Sequence, residues 1–147
     1  MRFTYVYARA GVVCIFGVRK GSMQSEQGGR VRGKRVLVVE DELMIRMLLE
    51  DMLAELGYVI AGTAMRIGEG VDAARTKQFD IAILDINLEG QPSSPVADML
   101  VARGTPFFFV TGYGHRGVPE QYRNYPMLKK PFQIEALRDM LHQVLHA

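Results

Sequence analysis

Tryptophan is absent from this 147-residue chain, cysteine occurs once and histidine three times. A lone Cys14 excludes an internal disulfide and any zinc site built on cysteines, and it fits a reducing compartment. No apolar run approaches the ~20 residues that a membrane-spanning helix needs. The nearest, Ala10 to Val18, lies between Arg9 and Arg19-Lys20, and no small-residue cleavage pattern follows it. Phosphate-cradling glycine motifs of the Walker or dinucleotide type are missing too. His115, His142 and His146 are read as surface residues. These absences point away from secretion, membranes and nucleotide enzymes, and towards a cytoplasmic protein.

Charge is not scarce, but it is unevenly placed. Residues 1–33 hold six Lys/Arg and one Glu, a net +5, whereas residues 34–147 hold twelve Lys/Arg and fifteen Asp/Glu, a net −3. The overall +2 therefore combines a basic tail with a mildly acidic domain. A nucleic-acid footprint needs cations clustered on a folded face. Arg30, Arg32, Lys34 and Arg35 are read as a solvated flank instead. The polar, glycine-containing stretch Met23 to Gly33 marks residues 1–33 as a poorly ordered extension, with Met23 a hypothetical translation start. Residues 34–147 are long enough for one domain with a real core.

Within that domain, apolar runs alternate with helical patterns. Val36 to Val39 is a β-branched run that ends in acids, as a buried strand does. Ile45, Leu48, Leu49, Met52, Leu53 and Leu56 recur at helical spacing before Gly57 stops the pattern. Tyr58 to Gly62 is a second strand, 66–77 a weaker helix with Ile67, Val71 and Ala74 inward, and Ile81 to Leu84 a central third strand. Ser93 or Ser94 is placed to cap a helix that enters through Pro95 and ends near Arg103, with Gly104 after it. Pro106 to Val110 is a fourth strand. Residues 112–125 read as a loop with at most one short helix near Pro119 to Arg123. Met127-Leu128 is a stub of a fifth strand, and Gln133 to Leu145 a final amphipathic helix. This (βα)5 alternation predicts an α/β domain: a flavodoxin-like, doubly wound, five-stranded parallel sheet in the order 2-1-3-4-5.

The strand ends carry the chemistry. Glu40-Asp41 follow the first strand, Asp85 the third, Thr111 the fourth, and Lys130 precedes Pro131 after the fifth. Parallel strands bring all of these to one rim. Convergent carboxylates repel unless a cation sits among them, and Mg²⁺ suits a site with few protein ligands plus water and phosphate. A lysine and a hydroxyl opposite can disperse charge on a phosphoryl group. Asp85 is the natural acceptor, since a carboxylate can form an acyl phosphate. Asn87 is placed to offer its backbone carbonyl to the metal. Glu42 reads as helix-favouring charge at the first turn.

These residues, in this order, resemble the receiver domain of two-component response regulators across roughly Gly33 to Ala147. The resemblance implies Asp85 as phosphoacceptor, Asp41 as a direct Mg²⁺ ligand and Glu40 as one through water. It implies Thr111 as the switch hydroxyl and Lys130, rather than Lys129, as the phosphate-binding lysine, often with a cis bond to Pro131. Phe109-Val110-Thr111-Gly112-Tyr113 is similar to the Phe-Ala-Thr-Gly-Tyr segment of a group of single-domain receivers linked to stress signalling. The position where the family usually has its switch aromatic is Met127, which leaves Tyr113 as a substitute. The implied partners are a sensor histidine kinase or phosphotransfer protein and an unknown output protein, with neither nucleic acid nor membrane, and with oligomeric state left open. Beyond its own phosphorylation and dephosphorylation no enzyme activity is expected. Two alternatives stand beside this: a Mg²⁺-dependent phosphatase on a similar fold, and a phosphate sink without output. Asn87 occupies the place where such phosphatases usually carry a second aspartate.

Overall fold

A computed structural model of the chain describes residues 3–8, 11–16, 33–112, 114 and 116–147. The 1–33 extension thus lies largely outside the described residues. Where it is described, Phe3–Ala8 pairs antiparallel with Gly11–Phe16, two strands the sequence pattern did not suggest.

From Arg35 onward the order is β1 (Arg35–Val39), α1 (Leu43–Glu55), β2 (Val59–Ala64), α2 (Ile67–Thr76), β3 (Ile81–Asp85) and α3 (Ser94–Arg103). β4 (Phe107–Thr111), a one-turn 3-10 helix (Glu120–Tyr122), β5 (Met127–Lys129) and α4 (Ile134–Leu145) complete it. The five strands form one parallel sheet in the order 2-1-3-4-5, the expected flavodoxin-like arrangement. Among the described residues between β4 and β5 the 3-10 turn is the one helical element, and no α-helix follows the fourth strand there.

Alternation along each strand divides the core into two layers, because successive side chains point to opposite faces of a sheet. Val36, Val38, Ile81, Ile83 and Phe108 pack beneath α1 and α4. Leu37, Val39, Ala82, Leu84, Phe107 and Phe109 pack beneath α2 and α3. Helices on both faces explain why these strands read as continuous apolar runs. α2 comes close to the sheet because Gly70 has no side chain: a Cβ there would meet Val96 at 2.9 Å and Val39 at 3.2 Å. Phe108 is fully buried in the first layer. Phe108→Ala should therefore cost about 3–5 kcal/mol in a denaturant titration; a loss below ~1 kcal/mol would contradict this packing.

Two local details differ from the sequence reading. Ser93 is the residue before α3, but its side chain makes no capping bond; its carbonyl accepts from the Val96 and Ala97 N–H groups instead. Beyond β3, Asn87-Leu88 folds back on Gln91-Pro92 through a two-residue turn with positive φ at both Glu89 and Gly90. Such a turn matches the twist of a tight hairpin.

Candidate functional site

Strand register assembles the acidic cluster. Val39 lies opposite Leu84, so the next residues, Glu40 and Asp85, emerge side by side at the C-terminal rim. Among the described residues, Glu40, Asp41 and Asp85 converge, with one carboxylate oxygen of each within 4.8 Å of the others. Glu40 and Asp85 are buried and Asp41 half-buried. Lys130 enters from the far side of the sheet: its Nζ is 3.0 Å from Glu40 Oε2 and 3.3 Å from Asp85 Oδ2. Exposed Glu42 lies further out, 3.8 Å from the same ammonium. Lys129 is exposed, so it is Lys130 that occupies the pocket. The Lys130–Pro131 peptide is cis.

Backbone donors orient the carboxylates. The Asn87 N–H donates to Asp85 Oδ1 at 3.3 Å and the Glu42 N–H to Glu40 Oε1 at 3.1 Å. The Glu89 N–H donates to Asp41 Oδ2 at 2.9 Å. This last donor is absent from the sequence reading. Its only signal was the Glu89-Gly90 dipeptide, which gives no hint that it reaches β1. Thr111 is buried at the end of β4; its hydroxyl donates to the Gly114 carbonyl at 2.9 Å. Its own carbonyl accepts from the Lys130 N–H at 2.7 Å, which ties hydroxyl strand and lysine together. Tyr113 lies outside the described residues. Met127 is half-buried and packs into the second core layer beside Phe109.

Electrostatics at this rim favour a divalent cation. Burial first, and the neighbouring Asp85 second, push the Glu40 carboxyl up to about 8, although Lys130 pulls it down. Burial alone would lower the Lys130 ammonium, but Glu40 and Asp85 more than offset this and leave it above the ordinary lysine range. A carboxylate lifted so far by desolvation and like charge is relieved by a hard divalent ion with oxygen ligands. The donor set therefore fits Mg²⁺.

The sign of the resulting pH dependence follows. Between 4.5 and about 8 the folded, metal-free protein holds a proton on Glu40 that the unfolded chain releases. Stability from this group is present at low pH and lost as pH rises through about 8. A cation replaces that proton, so one fixed Mg²⁺ concentration should raise Tm more at pH 8 than at pH 5.5. An equal rise at both would count against Glu40 at the metal.

A family model described as the response regulator receiver domain matches residues 36–142. The chain belongs to this family. Receiver domains serve two-component signalling rather than metabolism, and phosphorylation and Mg²⁺ binding are general to them. Among its relatives is the transcriptional regulatory protein PdtaR of Mycobacterium tuberculosis, 34% identical over 71% of this chain and 53% of the relative. Another is the phyllosphere-induced regulator PhyR of Methylorubrum extorquens, 30% identical over 92% of this chain and 54% of the relative. The chain thus spans about half the length of these two curated relatives. The solution structure of SdrG from Sphingomonas melonis Fr1 superposes with a TM-score of 0.70 at 38% identity, covering 77% of this receiver and 97% of that chain. No helix among the described residues is long and apolar enough to cross a membrane.

Proposed function

We propose that this receiver is a stand-alone phosphorylation switch in the cytoplasm, with Asp85 as its phosphoacceptor. One observation carries the reading: Asp85 opens onto a rim where two further carboxylates and the Lys130 ammonium converge. In this reading Asp41, Asp85 and the Asn87 backbone carbonyl would hold Mg²⁺, with Glu40 acting through water. The ion, when bound, neutralises phosphoryl oxygens and keeps the carboxylates ionised. The donor is the phosphohistidine of a sensor kinase or phosphotransfer protein. An Asp85 oxygen attacks phosphorus and the O–P bond forms as the P–N bond breaks. The imidazole leaves with that electron pair and takes a proton from water. Lys130 and the Thr111 hydroxyl bind the transferred phosphate oxygens, and the displaced β4–β5 surface is then read by an output protein.

A further feature supports protein contact as the mode of action. Leu43, Met44 and Met47 are each about half exposed at the start of α1, immediately after the acidic pair. Flexible, polarisable methionines suit a surface that docks another protein. The test is intact mass after incubation with acetyl phosphate, with and without Mg²⁺. A Mg²⁺-dependent phosphoryl adduct on the wild type is expected, and an unmodified wild type would overturn the proposal. A partner captured from the source organism only in the phosphorylated state would separate a switch from a phosphate sink.

A further inference from the structure

Between β4 and β5 the described residues 116–125 are held to the rest of the fold by side chains. Among the described residues, the backbone bonds of 116–125 stay within the turn: Tyr122 N–H to Pro119, Arg123 N–H to Glu120 and Tyr125 N–H to Tyr122. Val118 and Tyr122 are buried in the core layer under α3, with Tyr125 half-buried beside them. Tyr125 stacks on Phe107 with ring centroids 4.9 Å apart. Tyr122 meets Phe109 edge-on at 5.7 Å and Tyr125 at 5.3 Å. The Tyr122 hydroxyl donates to the Asp98 carboxylate on α3. A buried phenol needs a partner for its O–H.

The same segment touches the phosphorylation rim at its other end. Gly114 accepts the Thr111 hydroxyl, and a Cβ placed on Gly117 would lie 3.6 Å from the Asn87 side-chain nitrogen. So the segment is moored to Thr111 at 114, approaches Asn87 at 117, and is moored to α3 at 122. Met127, at the family's usual aromatic position, has no hydroxyl to serve in such a chain of contacts.

We propose that Tyr122, held by Asp98, is the positioning residue that couples Thr111 to α3 in this receiver. The inference rests on the reading of Asp85 as phosphoacceptor. When the Thr111 hydroxyl turns from Gly114 to a phosphoryl oxygen, the first mooring is lost. Among the described residues, the Tyr122–Asp98 bond is then a polar restraint that still holds the segment against α3, and its strength sets how far the surface opens. Asp98 is exposed, so water can solvate its carboxylate when the phenol is removed, and Tyr122→Phe keeps the ring packing. The fold should tolerate that change.

Hydrogen–deuterium exchange on the full chain, read in peptides covering 116–126, tests this. Without phosphodonor, Tyr122→Phe and Asp98→Ala should exchange about tenfold faster there than wild type, the loss of one hydrogen bond to a charged group. Asp98→Asn keeps an acceptor oxygen and should stay near wild type. Acetyl phosphate with Mg²⁺ should speed exchange of this segment in wild type and speed it further in Tyr122→Phe, where both moorings are then lost. Unchanged exchange in Tyr122→Phe would overturn the proposal, as would an equal rise in peptides from β1 and β3. A phosphorylated wild type with no change at 116–126 would refute the coupling alone. A wild type that takes no phosphate, while Tyr122→Phe still exchanges faster, would refute the Asp85 reading and reduce the tie to a static contact.

Discussion

Asp85→Asn will reduce acetyl phosphate labelling to background and leave the protein folded. The amide is isosteric with the carboxylate but has no anionic oxygen to attack phosphorus. No nearby group substitutes for it: Glu40 is almost fully buried and held by Lys130 at 3.0 Å, and the Glu89 N–H fixes Asp41 at 2.9 Å. The variant should also respond to Mg²⁺ with a smaller rise in Tm, since one of three convergent carboxylates is gone. In metal-free buffer its Tm should rise above wild type, because Asp85 is one of the charges that push Glu40 up. Labelling that survives in Asp85→Asn would move the acceptor elsewhere and end the present assignment.

Lys130→Ala should be the most destabilising change at the rim. Its ammonium, with a side chain only 10% exposed, sits 3.0 Å from Glu40 and 3.3 Å from Asp85. Removing one partner of a buried ion pair typically costs about 3–5 kcal/mol, because the remaining charge is left in a poorly solvated place. Proton uptake gives this loss a pH dependence. Lys130 lowers the Glu40 pKa, so without it Glu40 holds its proton to still higher pH. Lys130 itself is raised above 10.5, so its stabilisation is complete throughout the range below that value and is lost only as pH climbs through the folded pKa. Urea titrations without metal should therefore show a larger deficit at pH 9 than at pH 6.5. Added Mg²⁺ should return part of it at pH 9. A deficit independent of both pH and Mg²⁺ would mean that Lys130 acts through packing of its stem alone.

The sequence pattern located strands and helices to within a residue or two because both faces of the sheet are covered. Runs such as Ile81 to Leu84 then contain no polar residue to blur them, and α1 shows an uninterrupted helical stripe. The hairpin at 87–92 escaped notice for the opposite reason. Two-residue strands have no periodicity, and their position depends on a bond from Glu89 to Asp41, 48 residues away. Ser93 is a cap by residue type, yet its side chain makes no capping bond; its N–H donates to the Ile86 carbonyl and its own carbonyl accepts from the first turn of α3.

Residue order alone determined that this is a doubly wound α/β receiver with Glu40, Asp41, Asp85, Thr111 and Lys130 at strand ends. Apolar runs and the polar residues that end them are local properties, legible one segment at a time. Only the tertiary structure decided which polar groups meet. Lys130 reaches Glu40 across 90 residues and Asp85 across 45, and Tyr122 reaches Asp98 across 24. Those distances close only when the strands have taken their register. Burial at that point lifts Glu40 to about 8 and obliges the Tyr122 hydroxyl to find a partner on α3.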